Sequence, residues 1–224
     1  MGIAESTWVI VPLFNEGTVI ERVVAEALKT FPHIVCVDDG SSDSSGEIAL
    51  RAGAHLVTHP FNLGQGAALQ TGLSYALQFP NAEYFVTFDA DGQHSVDDAL
   101  RMVTRLANEP LDVVIGSRFL DSRTQVSWKK RLVLRTAAFV EGRLSGLKLS
   151  DAHNGLRALN RAAASRIRIT QNRMAHASEI TSQIGKLHLR YSEEAVHIEY
   201  SEYSKSKGQS LWNSVNILND LWIK

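Results

Sequence analysis

Short apolar runs alternate with amphipathic stretches along the first half of the chain. The runs are rich in β-branched and aromatic residues without polar alternation, which is typical of strands buried on both faces; they cover residues 7–13, 34–37, 54–58, 84–88 and 111–115. Between them, apolar residues recur at helical spacing, as Val19, Val23 and Ala27 do. Strands that alternate with helices predict an α/β fold with a mostly parallel sheet and helices on both of its faces.

The second half of the chain is more basic and more helical in its pattern. Residues 123–143 carry six Lys or Arg residues against Glu141 alone, interleaved with apolar residues, which predicts a basic amphipathic helix. Such a helix could lie on an anionic membrane, line a groove for an anionic substrate, or be a solvated face over a packed one. The remaining expectations, in chain order, are a polar loop at 151–157 that leads into a helix, a strand at 196–200, a cationic loop at 203–210 and an amphipathic helix at 211–223.

Composition narrows the class of protein. The chain has 224 residues, 23 basic against 24 acidic side chains and 44% hydrophobic residues, and it shows no repeat or linker, so we expect one globular domain over residues 1–224 with a C-terminal helical extension. The near-neutral charge argues against a general nucleic-acid binder. The single cysteine, Cys36, excludes an intrachain disulfide and favours a reducing compartment. With no signal peptide or membrane-spanning run, we expect a cytoplasmic protein, soluble or peripheral at the cytoplasmic face of the membrane.

The apolar run at 84–88 ends in two carboxylates, Asp89 and Asp91. Carboxylates two positions apart at a strand end point to the same side, so they could share one hard divalent cation through oxygen ligands, and that cation could hold a diphosphate. The alternative is an Asp-rich turn that caps the helix beginning near Ser95.

Three separate strand ends deliver carboxylates to the edge of the sheet where ligands bind in such folds: Glu16, then Asp38 with Asp39, then Asp89 with Asp91. This crowding is costly unless a cation or hydrogen-bond donors lie between the carboxylates. A metal-bound nucleoside diphosphate supplies both, and Arg118 with Lys205 and Lys207 could neutralise its phosphates. No Gly-x-x-x-x-Gly-Lys-Ser/Thr loop is present, which argues against a P-loop NTPase, and the Gly-x-Gly of residues 64–66 is too weak to indicate a dinucleotide site.

Five motifs follow one another along the chain: VIVPLFNE at 9–16, VDDGSSD at 37–43, NLGQG at 62–66, FDADGQH at 88–94 and GSR at 116–118. In this order they resemble the motifs of family 2 glycosyltransferases with the GT-A fold, a Rossmann-like α/β architecture. The resemblance covers roughly residues 7–210 and is strongest to the branch that includes dolichol-phosphate mannosyltransferases and bacterial polyprenyl-phosphate glycosyltransferases.

The resemblance implies a role for specific residues of the first half, 1–118, which would bind the nucleotide-sugar. Around the nucleoside it places Pro12, Phe14 and Glu16, with Asp39 at the base or ribose. At the diphosphate it places Asp89, Asp91 and Gln93 as ligands of Mg²⁺ or Mn²⁺, with Arg118 on a phosphate.

For the second half, 119–224, the resemblance implies the acceptor side. Arg131 and Arg135 would bind an acceptor lipid phosphate, Asp151 would approach the acceptor, and the loop with Lys205 and Lys207 would close over the diphosphate. Two departures matter: the family often has tyrosine at the position of Phe14 and serine or threonine at that of Asn154. The sequence also ends without the membrane helices of many relatives, so we expect either work at a membrane surface, with or without a separate membrane subunit, or a soluble acceptor.

Together these features predict a metal-dependent, inverting transfer of a sugar from a nucleotide-sugar to an acceptor, first of all a polyprenyl phosphate. A phosphate acceptor needs no strong general base, whereas a hydroxyl acceptor requires one, with Asp151 as the first candidate and Glu179 behind it. Asp151 as a helix cap, and Glu179 and His176 as ordinary helix-face residues, are the structural alternatives.

Three other functions stay open, as does a homo-oligomer. The first is transfer to a soluble or cell-surface glycan hydroxyl. The second is a sugar-1-phosphate nucleotidylyltransferase, which should show a Gly-rich loop with Arg and Lys right after the first strand, unlike residues 13–17. The third is a non-catalytic nucleotide-sugar-binding protein, which would tolerate loss of the aspartate pair.

Overall fold

The computed structural model describes residues 2–121, 142–143, 145–151 and 154–199. The predicted basic helix at 123–143 lies almost entirely outside these residues. The predicted cationic loop and the C-terminal helix at 211–223 lie wholly outside them.

The described residues form an alternating series of strands and helices. The strands are β1 (Thr7–Leu13), β2 (His33–Asp38), β3 (His55–Thr58), β4 (Tyr84–Thr87), β5 (Val113–Ser117), β6 (Arg157–Asn160) and β7 (Tyr191–Ala195). The helices are α1 (Ile20–Leu28), α2 (Ser45–Arg51), α3 (Gln65–Ala76), α4 (Val96–Asn108), α5 (Arg161–Arg166) and α6 (His176–Lys186), after a short 3₁₀ turn at Ala4–Ser6. No helix within these described ranges is long and apolar enough to cross a bilayer.

The strands pair into one sheet of order β3-β2-β1-β4-β6-β5-β7. Every strand runs parallel to the others except β6, which is antiparallel to both β4 and β5. The predicted mostly parallel sheet is therefore confirmed. Because β6 runs the opposite way, its first residue, Arg157, lies beside Thr87 and Ile115, near the ends of β4 and β5.

Two strands differ from the sequence prediction. The residues of β6 were expected to lead directly into a helix, but Ala158 is buried between Val86 and Val114 of the neighbouring strands. The late strand was expected at 196–200, yet β7 covers the more polar Tyr191–Ala195 beside β5. The polar character of β7 fits an edge strand, which keeps one side half-buried.

Both faces of the sheet are covered, as the unbroken apolar runs predict. Along β1, Val9 and Val11 pack into a core with α1 and α4, whereas Trp8 and Ile10 pack into a second core with α3 and α6. Successive side chains of a strand point to opposite faces, so a strand buried on both faces has no polar positions. The polar groups that could carry chemistry are thus concentrated where the strands end.

Candidate active site

The predicted carboxylates meet at the carboxyl edge of the sheet. Asp89 and Asp91 follow β4, and Glu16 follows β1, the strand next to it. Burial, followed by the negative charge of Asp89 and a smaller effect of Glu16, raises the pKa of Asp91 to about 6. The structure therefore brings these three acidic groups into one electrostatic cluster.

Asp89 is held by hydrogen bonds to both of its oxygens. Gln65 Nε2 donates to Oδ1 at 3.0 Å, and His94 Nε2 lies 2.9 Å from Oδ2. Burial opposes ionisation of this carboxyl group, but the hydrogen bond from His94 and the charges of His94, His176 and Arg157 outweigh it and lower the pKa of Asp89. Asp89 thus stays ionised and fixed in orientation, which is what a ligand for a cation requires.

Asp91 is contacted by Gln93, the third predicted metal ligand. The Gln93 backbone N–H donates to Asp91 Oδ1 at 3.1 Å, and Gln93 Nε2 donates to Oδ2 at 2.7 Å. The N-terminus of α4 is capped instead by Ser95, whose hydroxyl accepts from Asp98 N, so the aspartate pair is not needed as a helix cap. Among the described side chains, no three His, Cys, Asp or Glu residues form a ready-made metal cluster.

The nucleoside side of the predicted site is built around Asp39. This carboxylate is buried and accepts from His59 Nδ1 at 2.7 Å, Leu63 N at 2.9 Å and Gly64 N at 2.7 Å. Asp39 therefore holds the loop that leads into α3, and its contact with a base or ribose stays a prediction. Of the other predicted residues, Pro12 is buried and Phe14 is 44% exposed at the end of β1.

The glycines of the Gly-x-Gly segment serve close packing. A Cβ atom on Gly64 or Gly66 would overlap the backbone oxygens of the 171–172 segment, and Gly66 N donates to Asn172 O at 2.8 Å. Glu179 on α6 holds the same segment, because its carboxylate accepts from the backbone N–H groups of residues 170 and 171 at 2.9 and 2.8 Å. This packing places Gln65 beside Asp89.

Arg118 and Asp151, predicted separately, form one ion pair. Arg118 Nε lies 2.6 Å from Asp151 Oδ2, and Nη2 lies 2.7 Å from Oδ1. Asp151 is 1% exposed. This two-point contact fixes the plane of the guanidinium group, so Asp151 orients Arg118 just beyond β5.

Sequence reasoning did not find three residues that support this arrangement. Glu193 on β7 accepts from Ser150 N and Oγ, both at 2.9 Å, and from Asp151 N at 3.2 Å. Gln65 and Gly155 contact or adjoin Asp89. Gln65 lies inside the NLGQG motif and Gly155 in the predicted polar loop at 151–157, but Glu193 sits in a polar stretch with no distinguishing signal. The other predicted residues, Arg131, Arg135, Lys205 and Lys207, lie outside the described part of the chain.

Known structures share this architecture. The crystal structure of glucosyl-3-phosphoglycerate synthase from Mycobacterium tuberculosis with Mn²⁺, UDP-glucose and phosphoglyceric acid superposes with a TM-score of 0.71 at 16% identity, over 97% of this chain and 78% of that one. The fold is therefore the GT-A fold, as predicted.

Sequence relatives extend over nearly the whole chain. An uncharacterized protein of Methanocaldococcus jannaschii is 34% identical over 96% of this chain and 90% of its own length. The UDP-N-acetylglucosamine–dolichyl-phosphate N-acetylglucosaminyltransferase of Methanococcus voltae is 27% identical over 91% of this chain and 90% of its own length. The sequence profile of glycosyl transferase family 2 matches residues 8–168, the part that holds the acidic cluster and the Arg118–Asp151 pair. The chain is a glycosyltransferase and belongs to glycosyl transferase family 2.

Proposed function

We propose that this enzyme transfers a sugar, with inversion and with the help of a divalent cation, from a nucleotide-sugar to a polyprenyl phosphate. The Methanococcus voltae relative is named for a dolichyl-phosphate acceptor and a UDP-sugar donor. The structural neighbour from Mycobacterium tuberculosis was crystallised with Mn²⁺ and UDP-glucose. These two proteins support the donor class, the ion and the acceptor class from independent directions.

The aspartate pair fits a bound Mg²⁺ or Mn²⁺. Asp89 and Asp91 supply oxygen ligands, and their mutual repulsion is the kind of unfavourable energy that a cation between them removes. Magnesium is usually bound through one or two carboxylates together with substrate phosphates, so a pair with the amide of Gln93 is sufficient. When bound, the ion stabilises the negative charge that develops on the departing nucleoside diphosphate.

The choice of acceptor rests on one observation: both carboxylates that could act as a general base are already bound to other groups of the protein. Asp151 is buried in a two-point ion pair with Arg118, and Glu179 accepts from the backbone of residues 170 and 171. A carboxylate held in this way is a poor proton acceptor, because taking up a proton would break these contacts. A hydroxyl acceptor needs a base, whereas a phosphate monoester is already anionic near neutral pH. The geometry thus favours a phosphate acceptor.

The remaining predicted site residues have binding roles in this proposal. Arg118, held by Asp151, would contact a phosphate of the donor, and Lys205 and Lys207 would close over the diphosphate. Arg131 and Arg135 would position the acceptor phosphate. The residues at the end of β1, together with Asp39, would line the nucleoside pocket. Because a polyprenyl chain lies in a bilayer, the enzyme would work at a membrane surface, alone or with a separate membrane subunit.

A matched pair of acceptors tests the proposal. Transfer from UDP-N-acetylglucosamine, UDP-glucose and GDP-mannose is measured onto polyprenyl phosphate and onto the same polyprenol without its phosphate, with 3-phosphoglycerate as a soluble hydroxyl acceptor. We expect transfer to polyprenyl phosphate alone. Transfer to polyprenol, or to the hydroxyl group of 3-phosphoglycerate rather than its phosphate, would refute the phosphate acceptor and return the role of base to a carboxylate.

The metal role is tested separately by Asp91→Asn. In the wild type, a true donor at a hundredfold excess over its Kd should stabilise the fold by about 2.7 kcal/mol, or roughly 5–10 °C in Tm, only when Mn²⁺ is present. Asp91→Asn should lose this Mn²⁺-dependent shift and the transfer activity. Asp97→Asn is the matched control, since Asp97 is exposed in the first turn of α4. An Asp91→Asn variant with wild-type turnover would remove the proposed ion from this pair.

A further inference from the structure

Asn154 carries a buried hydrogen-bond donor that no described residue pairs, next to the segment that contacts Asp89. The residue is 2% exposed, and its Oδ1 accepts from Leu156 N at 2.9 Å. Its Nδ2 group is buried and has no hydrogen-bond partner among the residues that the structure describes. Buried donors are normally paired, since an unpaired one loses its hydrogen bonds to water without replacement, and exceptions call for an explanation.

The orientation of this amide is fixed. Turning the side chain over would bring its NH₂ group against the N–H of Leu156, so the contact to Oδ1 identifies which end is the donor. The backbone that follows Asn154 is hydrogen-bonded to both neighbouring strands: Thr87 Oγ1 of β4 donates to Gly155 O at 2.6 Å, and Gly116 N of β5 donates to Leu156 O at 2.9 Å. Asn154 therefore lies where the chain enters the space between the ends of β4 and β5.

This position adjoins the acidic pair. A Cβ atom built on Gly155, the next residue, would lie 2.8 Å from Asp89 Oδ1, so the backbone here is in direct contact with the Asp89 carboxylate. Asn154 thus precedes the residue that contacts Asp89, whose carboxylate would hold the diphosphate through the ion. The diphosphate of a nucleotide-sugar joins the nucleoside to the sugar that is transferred. The proposed nucleoside pocket, at Asp39 and the end of β1, lies across β4 from Asn154, which leaves the sugar for the side of Asn154.

We infer that Asn154 Nδ2 donates a hydrogen bond to a neutral oxygen of the transferred sugar, either a hydroxyl or the carbonyl of an acetamido group. This inference rests on the proposed function. A neutral amide is a suitable hydrogen-bond donor to a neutral oxygen, while the ion and Arg118 would neutralise the charges of the diphosphate. A rigid donor with no partner of its own in the described protein is prepared for a ligand, because no protein hydrogen bond must be broken when the sugar binds.

Binding measurements on Asn154→Ala, with Mn²⁺ present, separate the sugar from the rest of the donor. Calorimetry compares UDP, UDP-glucose and UDP-N-acetylglucosamine, or GDP and GDP-mannose if the wild type prefers guanine. We expect the affinity for the nucleotide-sugar to fall about tenfold, as for loss of one buried hydrogen bond, while the affinity for the free diphosphate stays within about twofold. A fall for both UDP-sugars indicates a hydroxyl contact, and a fall for UDP-N-acetylglucosamine alone indicates the acetamido carbonyl.

Two further variants keep the test decisive. Asn108→Ala, at the exposed end of α4, should bind every ligand like the wild type. Asn154→Ser retains an oxygen that can accept from Leu156 N but is too short to replace the amide, so it should show the same selective loss if the alanine variant does not fold. An equal loss for UDP and UDP-sugar, or no loss for either, would overturn the inference. A wild-type protein that binds no nucleotide would instead overturn the proposed function, and the inference with it.

Discussion

Replacement of Gly155 by alanine should disable the site although it removes no polar group. Gly155 follows directly on Asn154, and its backbone packs against Asp89. An alanine Cβ would lie 2.8 Å from Asp89 Oδ1, 2.9 Å from Cγ and closer still to Oδ2. Contacts under 3.0 Å are essentially never seen for real Cβ atoms, so something must move.

The carboxylate is the part that gives way. The backbone here is held by two hydrogen bonds. Thr87 Oγ1 donates to Gly155 O at 2.6 Å, and Gly116 N donates to Leu156 O at 2.9 Å. To relax the Cγ contact from 2.9 Å to ordinary van der Waals contact at 3.4 Å, Asp89 must shift by half an ångström, and by more at Oδ2. Misplacement of a reacting group by about 1 Å can cost on the order of 10²-fold in rate. We expect a loss of this size in kcat/KM. We also expect the free energy of unfolding to fall by about 1–3 kcal/mol.

The assay is transfer from the nucleotide-sugar, combined with the Mn²⁺-dependent thermal shift. Gly155→Ala should lose about 10²-fold in kcat/KM and most of the Mn²⁺-dependent stabilisation, because the displaced carboxylate no longer holds the ion. Gly2→Ala is the control, since the nearest atoms to its Cβ are those of Glu5 at 3.8 Å. A folded Gly155→Ala protein with turnover within about threefold of the wild type would refute the reasoning, because the placement of Asp89 would then not matter.

Two further predictions concern groups away from the aspartate pair. Glu193→Gln should lower kcat about tenfold with little change in nucleotide affinity, since a neutral amide lacks the charge that strengthens the bonds from Ser150 and Asp151 N, and its NH₂ group would face Ser150 N where Oε2 now accepts at 3.0 Å; unchanged kcat would show that this contact does not position Asp151. Burial, followed by the charge of His33, lowers the pKa of His55 below 6.5, so the unfolded chain takes up the proton first and stability should fall as the pH drops through 6.5. Tm measured between about pH 8 and pH 5 should therefore vary less in His55→Gln than in the wild type, and equal slopes would contradict the assignment.

Much of the fold could be predicted because the buried strands of the sheet are also the apolar runs of the sequence, and the polar motifs follow directly at their ends. β1 occupies Thr7–Leu13 as expected. Every position in it is buried, and a strand buried on both faces appears in the sequence as an apolar run. The acidic loops were placed at one edge because parallel strands end on the same side of a sheet, and the charges of Glu16 and Asp89 on Asp91 confirm it.

The rest depends on contacts between distant segments, which local pattern does not record. β6 was missed because a four-residue segment acquires its strand conformation from β4 and β5 on either side, not from its own propensity. The Arg118–Asp151 pair joins residues 33 positions apart, and Glu193 reaches Ser150 across 43 positions. The motifs and the family resemblance predicted roles for Arg118 and Asp151 but could not show that they bind each other.

These contacts divide the acidic residues of the chain into two kinds. Asp39 and Glu179 accept hydrogen bonds from backbone N–H groups, and Asp151 is matched by a guanidinium group, so their charges are satisfied within the protein. Asp91 differs, because burial and the charge of Asp89 raise its pKa although Gln93 donates to both of its oxygens. A charge that the fold leaves unbalanced is lowered in energy by a cation, whereas a carboxylate already paired gains little from one. The electrostatics therefore support the proposal that an ion binds at Asp89 and Asp91, while the other carboxylates hold the loops around it.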